Sequence, residues 1–455
     1  MIKGLCTISG AILLFALSCK KDNEKLNQLP DQSITKVRSL DDAQAVLDYT
    51  PVMQVTPALG ELSADDFYLS LDTAGIIQKP VEMNAYFWQP DIFQGQTQIA
   101  DWNTPYKQIL HANTVLEALP TITDSSDLIK RNNIKGAALF FRAHAHLQVA
   151  LLFSSLPNAT PSTLGIPLRL STDPNIPSKR ATVADTYTQI LDDLSAAGQL
   201  LPASTDRKRL NRPAKPAAFA LMARVYLIMG DYSKAESYAD SCLRYYSTLT
   251  DYNNFSNTID NPFSIHNEEV IFTSTILSTT IFEKKYEFAD STLYRSYHPN
   301  DLRKTIFFRL DPITNLPKQQ HSYTGKASLF SGIATDEVYL IRAEARAKNN
   351  QTQAAMNDLN TLLEKRWKPT ASFVPYTASS AEDAIQQIRA ERRKELVFRG
   401  LRWVDVRRYN REHPADTLIR ITKTDVYKLY PNDLKTVLLL PPDVIQLSSM
   451  PQNER

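Results

Sequence analysis

The sequence predicts a mainly α-helical protein, a scaffold of stacked helical hairpins interrupted by long loop-rich inserts with short strands. Three observations predict it. One pattern of aromatic, small and turn residues occurs twice, first from Phe219 to Cys242 and again from Tyr339 to Leu362. Glycine is scarce (12 of 455 residues) and proline (26) clusters in particular segments, as in helices joined by Pro-rich loops. The stretches between the patterns are long and rich in aromatic and polar residues.

The chain opens with a short positive and apolar segment. Lys3 supplies a charge, Ile8 to Leu17 an apolar run, and Leu17-Ser18-Cys19 a small residue directly before cysteine. A bilayer span needs ~20 apolar residues. This run is shorter and fits a cleaved export signal. Residues 1–18 are therefore expected to be a lipoprotein signal peptide. Cys19 is the expected lipidation site, and 19–40 the lipid-anchored tether, with a polar stretch from Lys20 to Lys25. An ordinary secretory signal with an incidental cysteine is the alternative. Of the three cysteines, Cys6 then leaves with the signal and Cys19 is acylated. Cys242 has no partner for a disulfide, so the core must stabilise the fold.

Residues 41–455 are expected to form one domain. In the segment from Phe219, Ala223, Tyr226, Gly230, Tyr232, Ala235 and Ala239 follow the tetratricopeptide (TPR) spacing of two short helices with a turn at Gly230-Asp231. Tyr339, Ala343, Asn350, Ala355, Leu359 and Leu362 stand at the equivalents of Phe219, Ala223, Gly230, Ala235, Ala239 and Cys242. Phe141 to Ala145 echo Ile341 to Ala345, with a partner helix displaced to about Val183–Leu201 by an insertion carrying Pro157, Pro161, Pro167, Pro174 and Pro177. A helix from Trp102 to Leu119 precedes that echo. The expected hairpins span 101–157, 181–202, 213–246 and 335–367. Inserts occupy 50–100 and 246–335, the second with a β-like run from Val270 to Thr273. A C-terminal segment covers 382–455. Alanine at the close contacts lets helices approach and share a core. An irregular helical protein whose alanines merely fill space is the alternative.

Charge is nearly balanced, with 51 basic and 49 acidic residues. That balance gives no sign of a nucleic-acid partner, whose binders carry a basic excess. Catalytic signatures are absent: no H-E-x-x-H, no G-x-S-x-G elbow, no G-x-G-x-x-G and no P-loop. His144 and His146 are two apart, so a helix points them to different faces. The pairs Asp65/Asp66 and Asp192/Asp193 diverge in the same way, whereas a glycosidase needs two acids ~5–9.5 Å apart across a cleft. No metal site and no cofactor are expected.

Several segments together resemble the SusD/RagB family of outer-membrane nutrient-uptake lipoproteins, over essentially the whole mature chain. The lipoprotein cysteine is one element. Trp102, Tyr106, Ile109 and Asn113 resemble the family's first helix, and Glu268 to Phe272 its mid-chain strand. The most specific piece runs from Glu391-Arg392-Arg393-Lys394-Glu395-Leu396 through Phe398-Arg399-Gly400 to Arg402-Trp403 and Asp405. Leu440-Pro441-Pro442 and Gln452-Asn453 resemble its close. The resemblance implies a SusD-like domain on a lipid-anchored, outer-membrane, cell-surface protein. Its implied partner is a SusC-like TonB-dependent transporter, and its ligand a glycan or a peptide.

The basic stretch from Glu391 to Arg411 reads either as an anion patch or as a helix whose arginines pair with carboxylates, with Leu396, Phe398 and Trp403 inward and a stop at Gly400. Sugars offer C–H faces to aromatic rings and hydroxyls to carboxylates. Asp65, Asp66, Tyr68, Tyr86 and Trp88 in the first insert are therefore candidate ligand residues, with Tyr286, Tyr294 and Tyr297 in the second. Core packing of Phe87 and Trp88 is the alternative. Three functions compete: a non-catalytic glycan-capturing lipoprotein, a lipid-anchored TPR scaffold binding a peptide or protein, and a surface glycan hydrolase.

Overall fold

The computed structural model describes residues 37–71, 76–123, 127–157, 162–255, 261–263 and 267–455. Cys19, the signal peptide and most of the tether lie outside the described residues. Nine longer helices carry the fold: α1 Ala100–Ala118, α2 Leu128–Phe153, α3 Val183–Leu200, α4 Lys215–Met229, α5 Tyr232–Tyr245, α6 Thr335–Lys348, α7 Thr352–Glu364, α8 Ala381–Glu395 and α9 Arg402–Glu412. From α1 to α7, each packs on the next in chain order, and α6 and α7 also pack on α8.

Local chemistry sets the ends. Asp127, Thr182, Asp231 and Ser380 cap α2, α3, α5 and α8 by accepting from backbone N–H groups three residues on. The two predicted repeats coincide in detail. Gly230 ends α4 at φ +81° and Asn350 turns the second hairpin at φ +61°, both left-handed and of the residue types that tolerate it. Ala223, Ala235, Ala239 and Cys242 match Ala343, Ala355, Leu359 and Leu362, all fully buried. Of the two partners considered for α2, both are used: α1 lies on one side and α3 on the other. The apolar run of α2 is buried within this stack, as core.

The inserts are stitched together by short strands. Val55–Thr56 runs parallel to Thr275–Ile276, and Phe67–Leu69 antiparallel to Glu287–Ala289. Val270–Phe272 pairs with Ile333–Ala334 just before α6. There a Cβ on Gly332 would stand 2.1 Å from the Phe272 carbonyl oxygen, so only glycine permits the approach. A hairpin of Leu418–Ile421 and Val426–Leu429 folds over the first insert. Its Arg420 donates to the carbonyls of Ala64 and Phe67.

The basic C-terminal stretch is structural. Leu396, Phe398 and Trp403 point inward. The helix stops at Glu395, not at Gly400 as expected. Phe398 (φ +59°) and Gly400 (φ +73°) make the turn into α9 instead, and the Gly400 N–H donates to Glu61 Oε2 at 2.8 Å. Arg407 and Arg411 of α9 donate to the carbonyls of Leu151, Ser154, Pro157 and Ile228, which lie at or just past the ends of α2 and α4. Helix ends leave such carbonyls without intrahelical partners.

The close approach of α6 to its neighbours gives a direct test. Ala343→Leu should lower unfolding stability by ~1–3 kcal/mol through overpacking, measured by denaturant unfolding. A change near zero would contradict the repeat register.

Candidate functional site

The eight candidate ligand residues divide into a buried set and a surface set. Trp88 is 4% exposed, and its indole N–H donates to the Ser63 carbonyl at 2.9 Å. The Tyr86 hydroxyl accepts from the Leu69 N–H at 2.9 Å. The Arg420 guanidinium lies 4.2 Å from the Tyr86 ring centre and 5.2 Å from that of Trp88. Tyr297 is buried and donates to the Lys394 carbonyl at 2.7 Å. These three were expected on an exposed face. They are core, because each polar tip has a backbone partner and each ring fills the junction between an insert and the C-terminal segment.

Asp66 is also buried, clasped by Arg393 Nε at 3.0 Å. Asp65 forms a two-pronged pair with Arg402, Nε at 2.7 Å and Nη2 at 3.0 Å, and meets Arg393 Nη2 at 3.2 Å. The charges of Arg402 and Arg393 hold the Asp65 carboxyl well below its ordinary range, against the effect of burial. Burial, with Asp65 beside it, raises Asp66 to about 6 although Arg393 opposes. Glu61, behind them, is pushed up to about 8 by burial and by Asp66. The carboxylates are thus bracing elements on which the surface is mounted.

Tyr68, Tyr286 and Tyr294 remain half-buried. Strand pairing sets Tyr68 opposite Phe288, with ring centres 5.8 Å apart, and its hydroxyl 3.4 Å from Ser291 Oγ. Residues more than 200 positions apart thus form one face. Tyr294 packs edge-on against Phe308 at 5.6 Å, and Lys304 Nζ lies 4.9 Å from its ring centre. Lys318 Nζ lies 4.7 Å from the Phe288 ring centre. Asp290 borders the face, 3.6 Å from Arg393. Phe288, Ser291, Lys304 and Lys318 were not singled out from sequence, and Arg393 was named there only within the basic C-terminal stretch, not as a neighbour of this face. Only the mixture of tyrosines and charges in the second insert hinted at them.

Other clustered groups among the described residues are held in internal contacts. Glu269, Asp336 and Glu395 bring carboxylate oxygens within 4.8 Å of one another, close enough for a metal ion. Arg366 binds both Glu269 and Glu395 at 2.7 Å, Arg303 meets Glu395 at 2.9 Å, and Arg399 meets Asp336. These permanently protonated guanidiniums neutralise the triad in place of a cation. His144 and His146 are buried and pushed down to about 3, so both stay neutral. A cleft of about 540 Å³ opens between α1 and the short helix Pro442–Ser448, lined by Trp102, Tyr106, Leu110, Ile176 and Leu447 among others. Its polar residues largely pin the Pro-rich loop: Tyr106 donates to the Pro167 carbonyl, Asn113 to that of Arg169, and Arg169 to those of Asp173 and Ile176.

Residues 26–227 match the family described as SusD-like, "starch-binding associating with outer membrane", and residues 281–437 match the SusD family. A SusD superfamily protein of Bacteroides thetaiotaomicron superposes with TM-score 0.74 at 24% identity, covering 92% of this chain and all of that one. A putative sugar binding protein of Bacteroides vulgatus superposes at 0.72 and 22% identity, covering 92% and 99%. A SusD-like carbohydrate binding protein from the same species gives 0.67 and 19%, covering 90% and 97%. No curated protein matches the chain.

The core position of Trp88 is testable. Trp88→Ala should cost ~3–5 kcal/mol of unfolding stability, read as a fall in denaturation midpoint. An unchanged midpoint would return Trp88 to the surface.

Proposed function

Because the chain belongs to the SusD/RagB family, we propose that it is a non-catalytic lipoprotein that captures a glycan and delivers it to a partner TonB-dependent outer-membrane transporter. The observation that carries this reading is the pair of half-buried tyrosines Tyr68 and Tyr294, each with a ring partner and a polar neighbour. It sits on inserts braced against a rigid helical stack, with Ser291, Asp290 and Lys304 close to the rings. Rings with polar groups at their edges suit a sugar's C–H face and hydroxyls. The family description and the sugar-binding names of two structural neighbours support the same ligand class. The lipoprotein pattern at Cys19 supports lipid anchoring, and the family description supports association with the outer membrane. A binding role without turnover fits the carboxylates, since Asp65 and Asp66 are held by arginines and not poised across a cleft.

A second reading, capture of a peptide or protein, draws on the apolar cleft beside α1 and Pro442–Ser448. The two separate on one experiment. The Tyr68→Ala/Tyr294→Ala variant should lose glycan affinity by ~0.5–1.5 kcal/mol per ring in affinity gels or calorimetry, with its melting temperature nearly unchanged. Undiminished glycan binding would move the ligand away from this face. Release of reducing ends by the wild-type chain would overturn the non-catalytic assignment.

A further inference from the structure

The aromatic strip at Tyr68 borders positive charge that the protein itself leaves largely uncompensated. Strands Phe308–Leu310 and Pro317–Gln319 pair so that Arg309 stands directly opposite Lys318. Like charges facing each other across a strand pair repel. Lys285 joins them. Its carbonyl accepts from Lys318 Nζ at 3.0 Å, and its own Nζ donates to Gln319 Oε1 at 2.6 Å, a neutral acceptor. Burial, and after it the Arg309 and Lys318 charges, lowers the Lys285 pKa, although Glu287 opposes. Strand Pro317–Gln319 packs beside Glu287–Ala289. The cluster therefore adjoins Phe288, the ring on which Tyr68 stacks.

Two acids sit among these cations. Asp311 lies 3.6 Å from Lys318 Nζ. Glu287 is fully buried, with no hydrogen bond to either carboxylate oxygen. Burial pushes it up to about 7, although Lys285 and Lys318 oppose, so it is only partly ionised at neutral pH. Arg309 is exposed and makes no ion pair among the described residues. Lys304, farther along the face, donates to the Tyr297 carbonyl at 3.2 Å, again a neutral acceptor. Three close cations thus meet one full and one fractional negative charge, next to a ring platform. Local arrangements that oppose stability are expected where a ligand supplies the missing partner.

We propose that the ligand of this face is an acidic glycan, its sugar ring on Tyr68 and its carboxylate or sulfate groups held by Arg309, Lys318 and Lys285. This rests on the glycan-binding reading above and specifies its substrate class. An anion between Arg309 and Lys318 removes their repulsion and gains charge-assisted hydrogen bonds. A neutral sugar leaves the repulsion in place.

The test uses the purified, detergent-solubilised full chain in native affinity gels with matched polysaccharides. Polygalacturonate is set against its methyl-esterified form, and dextran sulfate against dextran. The chain should be retarded more by the acidic member of at least one pair, and less so as salt is raised. The two pairs tell carboxylate from sulfate. The Arg309→Gln/Lys318→Gln variant should lose affinity for that polysaccharide about tenfold or more, with its melting temperature unchanged or raised. Retardation only by neutral polymers, or acidic binding undiminished in the double variant, overturns the acidic-glycan inference and leaves glycan capture standing. No retardation by any polymer counts against both.

Discussion

Arginines sealed from water must find acceptors, and for most of the buried arginines here those acceptors are carboxylates, a constraint that organises this protein. Arg303, Arg366 and Arg408 are among its largest fully buried side chains. One series of contacts runs from Arg224 on α4 to Glu337 on α6, on to Arg392 on α8, Asp405 and Arg408 on α9, and back to Glu344 on α6. A second runs from Asp301 through Arg303 to Glu391 and Glu395 on α8, then through Arg366 to Glu269, which Tyr323 links to Asp336 and Arg399. Burying ions is costly, so such networks add little net stability over apolar packing. What they enforce is arrangement. A misplaced α8 or α9 would strand several charges at once.

The candidate site depends on the same device. Arg393 projects from α8 to Asp66, and Arg402 from the start of α9 to Asp65. These contacts hold the residues just before strand Phe67–Leu69, the strand that presents Tyr68 and pairs with Glu287–Ala289. The C-terminal segment thus fixes both inserts from behind, and the aromatic face is set before any ligand arrives. A preorganised face loses less entropy on binding.

Much of the scaffold was legible in the sequence because it is local. Hairpin spacing and the Gly230 turn involve neighbours within a few positions, and Asn350 fills the glycine's role in the second repeat. The helix expected from Trp102 to Leu119 runs from Ala100 to Ala118. The arginine-rich segment was legible in kind, as paired charges, although its partners lie as far off as Asp65 and Glu269. The site was less legible. Tyr86, Trp88 and Tyr297 carry the same residue types as Tyr68 and Tyr294, and only the packing of Arg420 and of the Lys394 carbonyl tells core from surface. The pairing of residues 67–69 with 287–289 has no local signature at all. The Gly400 stop failed for a related reason: Phe398 takes the left-handed turn first, and Gly400 is held by the distant Glu61.

Glu395 is where the central claim concentrates, since it bridges Arg303 and Arg366 with no solvent exposure of its side chain. Glu395→Gln keeps the shape, removes the charge and leaves both guanidiniums short of a partner. Equilibrium urea unfolding of this variant is the most direct measurement. A loss of ~3–5 kcal/mol, the cost of breaking a buried pair from one side, is what the network account predicts. A loss within about 0.5 kcal/mol, the range of an ordinary surface substitution, would contradict it.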